Sequence, residues 1–120
     1  MRLDNKIIIV TGAGSGIGKA CAETFNREGA HVVMADVNKE NLNSSIENLD
    51  PHRKSLKFIC DVSSKKDAKN LIDFTIDSLG KVDILVNFAG VNPRNAPEQY
   101  DFEEVWDWVV GVNLKGSFLM

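Results

Sequence analysis

Ile7-Ile8-Ile9-Val10-Thr11-Gly12-Ala13-Gly14-Ser15-Gly16-Ile17-Gly18 is a β-branched run that breaks into glycines and then resumes with helical periodicity. That layout reads as a strand, a tight turn and a helix N-terminus. Glycines let the backbone turn sharply and let an anion approach where any Cβ would collide. The helix offers unpaired N–H groups and the positive end of its dipole, so a phosphate is stabilised there. The nearest competing pattern is the phosphate P-loop, which Gly14-Ser15-Gly16-Ile17-Gly18-Lys19-Ala20 almost imitates. Its spacing is one residue short, and Ala20 stands where a metal-binding hydroxyl belongs, so that reading fails.

Outward from this turn, strand and helix alternate. Lys6 to Thr11 reads as the first strand and Gly16 to about Glu28 as a helix with Ile17, Ala20, Cys21 and Thr24 on one face, closed by Gly29. His31 to Ala35 forms a second strand ending at Asp36, and Leu42, Ile46 and Leu49 mark a weaker helix that Asp50-Pro51 stops. Leu56 to Cys60 is a third strand ending at Asp61-Val62. Ser64-Lys65-Lys66-Asp67 resembles a capping box, and Ala68, Leu71, Ile72, Thr75, Ile76 and Leu79 form a long buried stripe. Val82 to Val86 is a fourth strand, apolar enough to be covered on both faces. After a loop with Pro93 and Pro97, Asp101-Phe102-Glu103-Glu104 caps a helix continued by Val105, Trp108, Val109, Val112, Gly116 and Leu119. This alternation implies right-handed crossovers and a parallel sheet, with expected strand order 3-2-1-4. The expected architecture is a Rossmann-type doubly wound α/β sheet, one dinucleotide-binding domain over 1–120. It is expected to be incomplete at its C-terminus, truncated after about four strands, because Met120 falls inside a predicted helix.

Composition narrows the function. The chain has 120 residues, 43% of them hydrophobic, which suffices for one core. A net charge of -3 and scattered lysines and arginines argue against nucleic-acid and anionic-membrane partners. No apolar run reaches transmembrane length or resembles a signal-peptide core. Cys21 and Cys60 have no metal-ligand spacing and read as reduced core thiols of a cytoplasmic protein. His31 and His52 are isolated, so no metal site is expected.

Asp36 sharpens the reading of the glycine turn. It stands at the end of the second strand, about 20 residues beyond the glycines, where a carboxylate accepts hydrogen bonds from an adenosine ribose. The same charge repels a 2′-phosphate, and no arginine follows directly, which favours NAD over NADP. The alternative for Asp36 is a surface turn residue before Asn38. Asp61 and Asn87 also stand at strand carboxyl ends, the edge where open α/β sheets bind ligands. Asp61 is placed to hydrogen-bond an adenine amino group, with Val62 presenting a backbone N–H. Asn87 precedes Ala89-Gly90, which keep a path beside ribose and nicotinamide free of side chains. Each is equally a turn former; their joint placement at one edge favours the ligand.

At this point the chain resembles the short-chain dehydrogenase/reductase family. Thr11-Gly12-Ala13-Gly14-Ser15-Gly16-Ile17-Gly18 matches that family's TGxxxGIG cofactor motif, and Asp36 its NAD-selecting acidic residue. Asp61-Val62 matches its adenine-contacting pair. Asn87-Phe88-Ala89-Gly90 resembles NNAG with Phe88 in place of the second asparagine, and Val112-Asn113-Leu114-Lys115-Gly116 resembles the following helix segment. The resemblance implies cofactor binding by Gly12, Ser15, Gly16, Ile17, Gly18, Asp36, Asp61, Val62, Asn87, Ala89 and Gly90. It implies hydride transfer between NAD(H) and a small-molecule alcohol or ketone by a tyrosine acid/base, a lysine, a serine and an asparagine that holds a relay water. Asn113 is the asparagine. The sole tyrosine, Tyr100, is followed four positions later by Glu104 and is not the family's YxxxK tyrosine. The chain alone is therefore expected to be inactive; the unpaired apolar edge of the fourth strand is expected to leave it marginally stable or prone to aggregate, and the whole protein is expected to be a homo-oligomer. The competing expectation is a nucleotide-binding or interaction fragment without catalysis.

Overall fold

The central strands are apolar on both faces because both faces are covered. The computed structural model describes residues 3–14, 16–49, 55–88 and 103–104. Within them lie β1 (Ile7–Thr11), α1 (Gly16–Arg27), β2 (His31–Asp36), α2 (Lys39–Ile46), β3 (Ser55–Ile59), α3 (Lys65–Leu79) and β4 (Ile84–Asn87). The strands form one parallel sheet in the order β3-β2-β1-β4, as expected. Ile8 lies opposite Val32 and Ile84, and Val10 opposite Met34 and Val86. The predicted helix after residue 101, including Trp108 and Leu119, lies outside the described residues apart from Glu103 and Glu104, which are helical.

Alternation along the strands divides the core in two. Ile8, Val10, Val32 and Met34 pack on one face with Ala22 of α1 and Leu42 of α2. Ile9, Val33 and Ala35 pack on the other with Cys60, Val62 and Leu71 of α3. On that side the rings of Phe58 and Phe74 meet at 5.0 Å between centroids. Burying these side chains is the main favourable term in folding. The sheet is thus doubly wound, with α1 and α2 opposite α3.

Three sequence expectations need correction. The buried face of α1 is Gly18, Ala22 and Asn26; Ile17 is 70% exposed, and Ala20 and Thr24 are exposed. The phase is set by Gly18, which must face β1 (below), and residues one position away are turned by about 100°. In α3, Ala68, Leu71 and Thr75 are buried, but Ile76 is 46% exposed, one step round from Thr75 and off the sheet-facing line. Finally, β4 is only half-buried. Among the described residues it has a single neighbouring strand, β1, so its apolar side chains are flanked on one side only.

The helix ends follow the sequence more closely. Asn38 caps α2, its side chain accepting from Asn41 N at 2.9 Å. Ser64 caps α3, accepting from Asp67 N at 3.2 Å. The Asp67 carboxylate does not complete the capping box; it accepts from Asp61 N at 2.9 Å, tying the end of β3 to α3.

At the opposite sheet edge, Asp83 clamps the start of β1. Its Oδ2 accepts from Ile7 N at 2.8 Å while its own N–H donates to Ile7 O at 2.9 Å. Lys81 stands 3.2 Å from the same carboxylate. The Ile7 hydrogen bond, aided by Lys81, holds this carboxyl below the usual aspartate range against an opposing desolvation cost. A lowered folded-state pKa stabilises the protein above the unfolded value, about pH 4, and that contribution is lost as pH falls through the folded-state value. Asp83→Asn should therefore lower Tm at pH 7, and its deficit should shrink as pH falls below the unfolded value, as followed by thermal melts across pH. A deficit independent of pH would contradict the charge-based account.

Candidate functional site at the carboxyl edge of the sheet

The turn between β1 and α1 is built on a close approach that only glycine permits. A Cβ at Gly18 would stand 2.1 Å from Gly12 O and 2.8 Å from Gly12 C, so α1 rests directly on the backbone leaving β1. Gly16 opens the helix with φ +58, and a Cβ there would meet nothing within 4 Å among the described residues. Among those residues, space stands open beside Gly16. That turn carries no acidic residue, and its backbone N–H groups have no partner within the helix. This is a cradle suited to an anion.

Hydrogen bonds then join the strand ends into one edge. Ala13 N donates to Ala35 O at 3.1 Å, and Cys60 N to Asp36 O at 3.0 Å, linking the ends of β1, β2 and β3. Phe88 N donates to Thr11 O at 3.2 Å, and the Thr11 hydroxyl lies 3.4 Å from Val86 O and 3.5 Å from Asn87 Oδ1, linking β4. Asp36, at the tip of β2, accepts from Gly14 N at 2.9 Å and from Asn38 N at 3.0 Å. An ionised carboxylate has about four acceptor positions, so capacity remains for two further donors. Asp61 is exposed, and its Oδ1 accepts from Ser63 N at 2.9 Å and Ser63 Oγ at 2.6 Å.

The structure therefore brings Gly12, Gly16, Ile17, Gly18, Asp36, Asp61 and Asn87 to one edge. Val62 is at the same edge, but its side chain is buried in the core on the α3 side. Ser15, Ala89, Gly90 and Asn113, with Tyr100 and His52, lie outside the described residues. Three residues at the site were not singled out from the sequence: Asn38, Asp67 and Ser45. The first two carry a cap signature, whereas Ser45, which donates to Gly14 O at 3.2 Å, has none. No His/Cys/Asp/Glu cluster suited to a metal occurs among the described residues, and no helix there is long and apolar enough to cross a membrane.

Cys60 lies beneath this edge, buried beside Asp61 and Asp67. Burial, reinforced by the two carboxylates, pushes its thiol up to about 11. The thiolate is the reactive form, so Cys60 should resist alkylation at pH 8 while half-buried Cys21 is modified. Peptide mass spectrometry after timed iodoacetamide labelling checks this; equal labelling would contradict it.

The two motif glycines should respond differently to alanine. Gly18→Ala meets backbone and should cost about 2–3 kcal/mol in denaturant unfolding, as overpacking does. Gly16→Ala meets open space and should cost only the left-handed backbone penalty, about 1 kcal/mol. Equal losses would remove the close approach as the reason for Gly18.

The profile of short chain dehydrogenases matches residues 6–120. The 3-oxoacyl-(acyl-carrier-protein) reductase of Thermotoga maritima is 40% identical over 119 residues, which cover 98% of this chain and 48% of that reductase. The NAD-dependent glycerol dehydrogenase of Listeria innocua is 40% identical over 118 residues, covering 98% and 45%. The crystal structure of levodione reductase aligns with a TM-score of 0.86 at 32% identity, covering 98% of this chain and 47% of that one. The chain spans about half the length of the curated relatives it matches.

Proposed function

This chain belongs to the short-chain dehydrogenase/reductase family of oxidoreductases, and from that premise we propose that it is the cofactor-binding part of an enzyme transferring hydride between NAD(H) and an alcohol or ketone. The observation that carries the reading is Asp36, a carboxylate bonded to the glycine turn at Gly14 and keeping two acceptor positions. A ribose diol supplies the two donors that those positions can take, whereas a 2′-phosphate would bring like charge against the carboxylate.

The residues fit a dinucleotide. The space open at Gly16 among the described residues, and the first-turn N–H groups with no partner within the helix, suit a pyrophosphate, held by Gly12, Ser15, Gly16, Ile17 and Gly18. Asp36 would orient the adenosine ribose, and Asp61 and Val62 the adenine. Asn87, Ala89 and Gly90 would line the path of the second ribose and the nicotinamide. When bound, NAD supplies the hydride acceptor or donor at its nicotinamide ring. Asn113 would hold a water for proton relay, a role assigned from its motif alone. The NAD-dependent glycerol dehydrogenase among the relatives supports NAD as the cofactor.

Calorimetric titration tests this. The protein should bind NAD⁺ at least about tenfold more tightly than NADP⁺, a difference of about 1.4 kcal/mol. Asp36→Ala should erase that preference, chiefly by weakening NAD⁺. Equal affinities in the parent protein, or an unchanged preference in the variant, would overturn the assignment.

A further inference from the structure

Asp36 does not stand freely at the end of β2. Its two carboxylate oxygens accept from two separate segments, the glycine turn at Gly14 N (2.9 Å) and the capping residue of α2 at Asn38 N (3.0 Å). The carboxylate is a bridge, and its place depends on the gap between turn and helix.

Gly14 sets that gap. A Cβ at this position would stand 2.8 Å from Asp36 Oδ2 and 2.9 Å from Asn41 Cβ in the first turn of α2. Gly14 is not among the glycines with positive φ, so its backbone would accept a side chain; only the space forbids one. Of the two groups in the way, Asn41 Cβ is anchored to the helix, while the carboxylate is a side-chain terminus that can be displaced. Ser45 acts on the same residue, through the carbonyl of the next peptide group. Fully buried, it donates its hydroxyl to Gly14 O at 3.2 Å. Thr24 and Thr75 bond the carbonyl four residues back on their own helices. Ser45 instead reaches across 31 residues of sequence to the turn.

We propose that Gly14 and Ser45 are positioning residues for cofactor choice, holding turn and α2 at the spacing that presents the Asp36 carboxylate to the adenosine ribose. Selectivity then resides in the fit of α2 against the glycine turn as well as in Asp36. This deepens the NAD reading and rests on it.

The test compares binding of AMP and adenosine 2′,5′-bisphosphate, probes that differ only at the ribose 2′ position, to the intact protein and its variants. The parent should prefer AMP. Gly14→Ala should narrow the preference by about tenfold, the order expected when a charge-assisted hydrogen bond is lost. Ser45→Ala, which removes only a hydroxyl, should narrow it by about threefold, as loss of a neutral hydrogen bond would. Gly14→Ala added to Asp36→Ala should cause no further loss of preference, because both act through one carboxylate. General damage to the fold weakens both probes alike and leaves the ratio in place. A selective parent whose ratio survives both Gly14→Ala and Ser45→Ala overturns this inference and leaves the NAD reading standing, and so does additivity in the double variant. A parent that binds both probes alike overturns the NAD reading itself, and this inference with it.

Discussion

The contact on which the rest depends is backbone against backbone, α1 resting on the turn at Gly12 with Gly18 as the point of touch. A Cβ at Gly18 would lie 2.1 Å from Gly12 O, so no other residue permits this spacing. From that contact follows the rotational phase of α1, with Ala22 and Asn26 directed inward and Ile17 outward. From it also follows the position of the helix N-terminus, whose first N–H groups have no partner within the helix. Packing and candidate chemistry therefore share one constraint.

Under the proposed function, Asp36 is a turn former and a ligand-directed carboxylate in one residue. Read as sequence, the two roles compete. In the structure, Gly14 N and Asn38 N take two of its acceptor positions and build the turn, while others remain. The structural bonds would serve the proposed role, because a carboxylate pinned by backbone donors loses little freedom when a further donor arrives. Asp61 follows the same pattern with Ser63. Both place charge at the carboxyl edge, where parallel strands end and helices begin.

What was legible in the sequence is uneven for definite reasons. Element types and strand order follow from local periodicity and from the crossover rule, and through β4 both match the structure. Asp36 and Asn87 were placed because each directly ends an apolar run. The face of α1 was misread because Ile17, Cys21 and Thr24 outrank Gly18, Ala22 and Asn26 in apparent periodicity. The structure reverses that order through a contact with a residue that has no side chain. Ile76 and β4 were expected to be buried from their apolarity, but burial depends on neighbours as well as on residue type.

By itself the sequence determined what is local: glycine where the chain must turn, β-branched runs where strands lie, the cap at Ser64, and acids at strand ends. Such features depend on steric preferences and hydrogen bonds a few residues in range. Only the tertiary structure decided which face of α1 turns inward, what holds the Asp36 carboxylate, and that Ser45 belongs to the glycine turn. The last two are hydrogen bonds between residues 22 and 31 positions apart. They exist because the parallel sheet brings the ends of β1 and β2 side by side, a proximity that no local pattern encodes.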